Sequence, residues 1–129
     1  MLTRLSKLPL LRKKTSAVVD VETALAAFRA GKMLIVTDSE DRENEGDLVL
    51  AADDTTPEAV NFMARYGRGL ICVPVTAARA KELNLQPMVK RNEDVRRTAF
   101  TVSVDAKEKT STGISAHDRQ ITILKLADP

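Results

Sequence analysis

Apolar residues fall along the chain in short runs separated by polar punctuation, and their period changes from run to run. After Asp20, "VETALAAFRAGK" places Val21, Ala24, Leu25 and Phe28 at helical spacing. Asp20 supplies an N-cap and Gly31 a C-terminal stop, which predicts a helix between them. "MLIVT" (33–37) is rich in β-formers and reads as a buried strand, and "LVLAA" (48–52) reads as a second. Thr56 followed by Pro57 predicts another helix over "PEAVNFMARYG", with Gly67 as its stop. "GLICVPVT" (69–76) reads as a third strand, with Pro74 marking an edge or an irregularity. Thr76 caps a short helix over "AARAKELN", and "LQPMVKRNEDVRR" reads as a long charged loop. "TAFTVSVD" (98–105) alternates, with Phe100, Val102 and Val104 on one face of a fourth strand. Ser115 opens a last helix, with Asp118 three residues on as a variant of the capping box. Strands alternating with helices predict an α/β (α+β) sandwich, a mixed sheet with helices packed on it.

Composition bounds what such a fold can do. The 129 residues suffice for one domain, and 43% apolar with 29% charged is ordinary for a globular protein. No apolar run approaches the ~18–20 residues that cross a bilayer, so no membrane partner is expected. A single cysteine, Cys72, excludes an intrachain disulfide framework and fits a reducing, cytoplasmic setting. The formal charge of +2 conceals an asymmetry, since Arg4, Lys7, Arg12, Lys13 and Lys14 stand near the start with no acid among them. The rest is mildly acidic and poor in aromatics, which argues against nucleic-acid binding. Residues 1–17 therefore read as a basic leader, either a disordered tail or an acid-poor organellar transit segment, and 18–129 as the domain.

The densest chemistry lies between the first two strands. "TDSEDRENEGD" (37–47) holds Asp38, Glu40, Asp41, Glu43, Glu45 and Asp47, with Arg42 the only base. In an extended stretch Asp41, Glu43, Glu45 and Asp47 share one face, and in a helical turn Glu43 and Asp47 stack. Like charges so close are relieved by protonation, solvent or a cation, and Mg²⁺ suits oxygen donors while keeping several waters. A calcium EF-hand fails, because Ala52 stands where its bidentate acid belongs. A solvated hairpin loop and a metal site remain equally open on spacing alone.

A second candidate is "TSTGISAHDR" (110–119), where Thr110, Ser111, Thr112, Gly113 and Ser115 lead into a helix N-terminus. Free N–H groups there attract anions, although ordinary capping by Ser115 needs no ligand. His117, the single histidine, reads as an exposed helix residue, and Cys72 as a buried core thiol.

Taken together, "DSEDRENEGDLVLAAD", "GLICVPVT", "RTAFTVSVDA" and "TSTGISAHDRQITI" closely resemble the 3,4-dihydroxy-2-butanone 4-phosphate synthase family, over roughly residues 18–129. The resemblance implies a lyase of riboflavin biosynthesis. It would convert D-ribulose 5-phosphate to L-3,4-dihydroxybutan-2-one 4-phosphate and formate, with Mg²⁺ (or Mn²⁺) and a homodimer whose sites lie near the interface. By position it implies Glu43 as a metal ligand, Arg42 and Asp47 against the sugar phosphate, and Glu45 in the same acidic, catalytic cluster. Cys72 would lie close to the substrate, and Thr112 would line the pocket. Family members continue past the last matching segment with two histidine-bearing motifs and a late glutamate. The N-terminal part of the domain alone is thus expected here, and with it a second possibility. The chain could be an inactive remnant that at most dimerises or binds a sugar phosphate.

Overall fold

The helix starts follow from local chemistry. In the computed structural model, which describes residues 18–128, helix α1 spans Val21–Arg29. Residues 1–17, and with them the expected basic leader, lie outside the described residues. The Asp20 side chain caps α1 by accepting the Thr23 N–H at 2.7 Å. The chain leaves through Gly31 at φ +71°, a conformation open to a residue without Cβ. Strands β1, Leu34–Thr37, and β2, Gly46–Val49, form an antiparallel hairpin running from Leu34 opposite Val49 to Thr37 opposite Gly46. The second strand thus starts earlier than expected, and Ala52–Asp54 is a 3₁₀ turn rather than its continuation. The acidic stretch is the loop of this hairpin.

Helix α2, Pro57–Phe62, starts where Thr56 accepts the Ala59 N–H at 3.1 Å and proline takes the first helical position. It runs into a π turn, Met63–Gly67, and the left-handed residue is Arg68 at φ 57°. A π turn holds one residue more than an α turn, so the reversal falls just beyond the expected Gly67. Helix α3, Ala77–Glu82, is capped by Thr76, and helix α4, Ala116–Ala127, by Ser115.

Helix α2 and the 3₁₀ turn pack on α4. Val60 and Ile123 are the buried hydrophobic side chains among the described residues, at 1% and 9% exposure. Gln120 ties the layers by donating its Nε2 to the Thr55 carbonyl at 3.2 Å. From α3, Arg79 donates to the carbonyls of Lys125, Leu126 and Asp128, the last turn of α4 that has no helical N–H to meet. Buried Thr122 accepts the Ala106 N–H at 2.9 Å and so pins the end of the 98–105 segment to α4.

The α+β class holds, but the sheet among the described residues is two-stranded and antiparallel, not the larger mixed sheet expected. Segment 69–76 is extended with alternating burial, Ile71, Val73 and Val75 half-buried and Cys72 and Pro74 exposed, yet it joins no ladder. Segment 98–105 makes one isolated bridge, Pro87 opposite Thr101. In 69–76 the apolar side chains turn inward, but in 98–105 the expected apolar face of Phe100, Val102 and Val104 is exposed while Thr101 is half-buried. A strand also needs a neighbour for its backbone N–H and C=O groups: 69–75 has none among the described residues, and 98–105 has only the short stretch 86–88, where Met88 donates to the Phe100 carbonyl and Val102 to the Gln86 carbonyl, both at 2.9 Å. No helix among the described residues is long and apolar enough to cross a membrane.

Candidate functional site

Asp38, in sequence merely one of six acids, organises the hairpin loop. Its Oδ1 accepts the Glu45 N–H at 2.8 Å, and its Oδ2 accepts the Glu43 N–H and an Arg42 Nη1 hydrogen, both at 2.9 Å. The Glu45 N–H is the main reason its carboxyl lies below the usual aspartate range. The Glu43 N–H and the Arg42 guanidinium add to this against partial desolvation. Arg42 and Asn44 donate their N–H groups to the Ser39 carbonyl, with Asn44 left-handed at φ 53°.

Glu43 is gripped from two sides. Arg42 Nη1 lies 3.2 Å from Oε2, and Arg96 Nε lies 2.7 Å from Oε1. Arg96 also donates to the Arg42 carbonyl at 2.6 Å, tying the long charged loop to the hairpin. Nothing local in the sequence marks Arg96, because its partner is more than fifty residues away. Like-charge repulsion in the turn is thus relieved by backbone N–H groups and two guanidinium groups. Asp41, Glu45 and Asp47 point outward and are exposed. The stacking of several carboxylates allowed by spacing does not occur, and no group of three His, Cys, Asp or Glu among the described residues could hold a metal ion.

The other expected site residues lie on separate segments. Cys72 is exposed rather than a buried core thiol, because 69–76 has one open face. It borders an open apolar cavity of 290 Å³ with Phe28, Val49, Met63 and Ile123. Thr112 is exposed in the loop before α4. That loop is shaped by Asp118, at 3% exposure. Asp118 Oδ2 accepts the Ser111 hydroxyl at 2.8 Å, the Gly113 N–H at 3.0 Å and the Ser111 N–H at 3.2 Å. These bonds, the Ser111 hydroxyl first, hold its carboxyl below the usual range. Only half of the expected capping box forms, since Ser115 accepts the Asp118 N–H while the Asp118 carboxylate turns to the loop. The Ser111 and Gly113 N–H groups of that loop are thus taken by a carboxylate of the chain, and at the helix start the Asp118 N–H is taken by Ser115. His117 is exposed, its Nδ1 3.7 Å from Asp118 Oδ1. No hydrogen bond or ion pair among the described residues links Cys72 or Thr112 to the hairpin loop.

Comparison with known proteins places these segments. The family model for 3,4-dihydroxy-2-butanone 4-phosphate synthase matches residues 22–129. The riboflavin biosynthesis protein RibBA of Aquifex aeolicus is 59% identical over 109 residues, covering 83% of this chain and 27% of that protein. The 3,4-dihydroxy-2-butanone 4-phosphate synthase of Sulfurospirillum multivorans is 50% identical over 117 residues, covering 91% of this chain and 33% of that protein. A solved 3,4-dihydroxy-2-butanone 4-phosphate synthase in complex with two magnesium ions superposes with TM-score 0.83 at 46% identity, covering 87% of this chain and 52% of that one. The chain thus spans about a third or less of these curated relatives and about half of the solved enzyme. It belongs to the 3,4-dihydroxy-2-butanone 4-phosphate synthase family.

Proposed function

We propose that this chain supplies the acidic half of the active site of a lyase of riboflavin biosynthesis. That enzyme converts D-ribulose 5-phosphate to L-3,4-dihydroxybutan-2-one 4-phosphate and formate. The observation that carries the reading is the hairpin loop, in which the family-specific "DRENEGD" is held in one conformation by Asp38. In this reading Glu43 is the metal ligand and Arg42 and Asp47 meet the sugar phosphate. Glu45 serves proton transfer, and Cys72 and Thr112 border the substrate.

Mg²⁺, with Mn²⁺ as substitute, is the proposed metal, supported by the magnesium complex of the solved relative. It would supply charge stabilisation to an enediolate. The carboxylates of the loop are oxygen donors of the right kind, but their number does not suffice. Both Glu43 oxygens face guanidinium groups, and no three-donor cluster stands among the described residues. The described residues therefore do not fit a complete metal site. A cytoplasmic homodimer is the expected setting.

A second reading is an inert module that retains sugar-phosphate binding or self-association, and the incomplete donor set favours it for the chain alone. Formate release from D-ribulose 5-phosphate, measured for the 129-residue chain with and without a polypeptide carrying the part of the domain that it does not match, separates the two. Formate from the pair rejects the inert module, and a pair that binds phosphate but releases no formate supports it.

A further inference from the structure

A metal role for Glu43 depends on two carboxylate oxygens that both face guanidinium groups, and the two arginines reach it differently. Arg42 is its neighbour in the hairpin loop, and its Nη1 is also bonded to Asp38 at 2.9 Å, so it is anchored within the hairpin. Arg96 comes from the long loop between α3 and α4, and its Nε makes the shorter contact, 2.7 Å from Oε1.

The turn that carries Arg96 is built without the hairpin. Asn92 Oδ1 accepts the Asp94 N–H at 3.0 Å, and Asp94 Oδ2 accepts the Thr98 N–H at 2.8 Å. Asn92 Nδ2 donates to the Thr98 carbonyl, and the Arg97 N–H to the Asp94 carbonyl, both at 3.0 Å. Val95 at the tip is 98% exposed, so apolar packing does not seat the turn there. Among the described residues, the hydrogen bonds and ion pairs that join residues 92–98 to the hairpin all come from Arg96, to Glu43 and to the Arg42 carbonyl. The hairpin in turn is held without Arg96, since Asp38 accepts the Glu43 and Glu45 N–H groups. The contact can therefore break while both partners keep their own shape. The Arg96 and Glu43 side chains are 41% and 31% exposed, open to ions from solvent, and an ion pair so exposed is weak. A divalent cation on either Glu43 oxygen would meet a guanidinium group already bonded to that carboxylate, and the like charges repel.

We propose that Arg96 is a tethered counter-ion that competes with divalent cations for Glu43. The 92–98 turn is joined to the hairpin while Arg96 holds the carboxylate, and is released when a cation takes it. This rests on the reading of Glu43 as a metal ligand and adds to it a partner that the cation must displace. Because coupling is reciprocal, the factor by which Arg96 weakens the cation is the factor by which the cation weakens the Arg96 contact. Arg42, anchored by Asp38, stays with the hairpin, so the part that moves is the turn.

The test is heteronuclear NMR of the 129-residue chain titrated with Mg²⁺, read at the Arg96 side-chain Nε–H signal, which is assigned by its loss in Arg96→Lys. Mg²⁺ should move this signal to the position of a solvated arginine and speed its exchange with water. The Glu43 and Glu45 amides should stay protected by Asp38 throughout, which separates release of the turn from unfolding. In Glu43→Gln the Arg96 signal should already be that of a solvated arginine, and Mg²⁺ should not move it. Arg96→Ala should bind Mg²⁺ about thirtyfold more tightly than the parent. Mg²⁺ binding that Glu43→Gln abolishes, with the Arg96 signal of the parent unmoved, overturns the proposal alone. Mg²⁺ binding by Arg96→Ala that an added Glu43→Gln does not weaken overturns the reading of Glu43 as a ligand, and the proposal with it.

Discussion

Gly113→Ala should destabilise the chain through two separable effects at one atom. Gly113 has φ +83°, and a Cβ built there would overlap the carboxyl group of Asp105. The left-handed conformation costs an L-residue about 1–2 kcal/mol. Crowding a closed site typically adds about 1–3 kcal/mol, and the exposed Asp105 side chain can swing partly away, so the low end applies. The sum is about 2–3 kcal/mol, against a backbone held by the Gly113 N–H to Asp118. For a chain of 129 residues each kcal/mol moves the melting temperature by about 4 °C, so a fall of about 8–12 °C is expected by circular dichroism. Adding Asp105→Ala should restore the crowding share and leave the backbone share, a coupling that a double-mutant cycle reads directly. A Gly113→Ala melting temperature within about 2 °C of the parent, or no recovery in the double variant, would refute this account of the loop.

Asp118→Asn should flatten the acid limb of stability. Because the folded carboxyl lies below its unfolded value of about 3.9, its contribution is fully present above that value and disappears as pH falls through the folded one. Thermal melts from pH 6 to pH 2.5 should therefore show a shallower decline below pH 4 in the variant, and an unchanged decline contradicts the assignment. Arg96→Ala should change stability by less than about 1 kcal/mol, as an exposed ion pair does. It removes a unit charge beside Glu43 and should strengthen Mg²⁺ binding about thirtyfold, from about 2 kcal/mol of Coulomb repulsion between a unit charge and a divalent ion at about 4 Å in water. Calorimetric titration of the chain with Mg²⁺ reads this, and weaker or unchanged binding counts against Arg96 as the cation now facing Glu43.

What could be read in sequence divides along locality. Asp20, Thr56, Thr76 and Ser115 all cap helices as expected, because a cap bonds an N–H only three residues away. The hairpin and its acidic loop were equally legible, since both strands and the turn lie within seventeen residues. The strands expected at 69–76 and 98–105 do not form, because alternation in sequence does not say whether a ladder partner is present. Arg96 on Glu43 and Arg79 on the end of α4 escaped for the same reason, each contact spanning more than forty residues. The spacing from Ser115 marks Asp118 as a capping-box partner, whereas its carboxylate is the acceptor that shapes the Thr112 loop. Cys72 looked buried because its neighbours are apolar, and only the unpaired face of its segment exposes it.

The most direct test of the central claim, that this chain is one half of a lyase site, is formate release from D-ribulose 5-phosphate in Mg²⁺ buffer, measured with and without the complementary half-domain. The account predicts no formate from the chain alone and formate from the co-purified pair, lost again on Glu43→Ala. Turnover by the chain alone at the rate of complete relatives, or a stable pair that releases none, would contradict it.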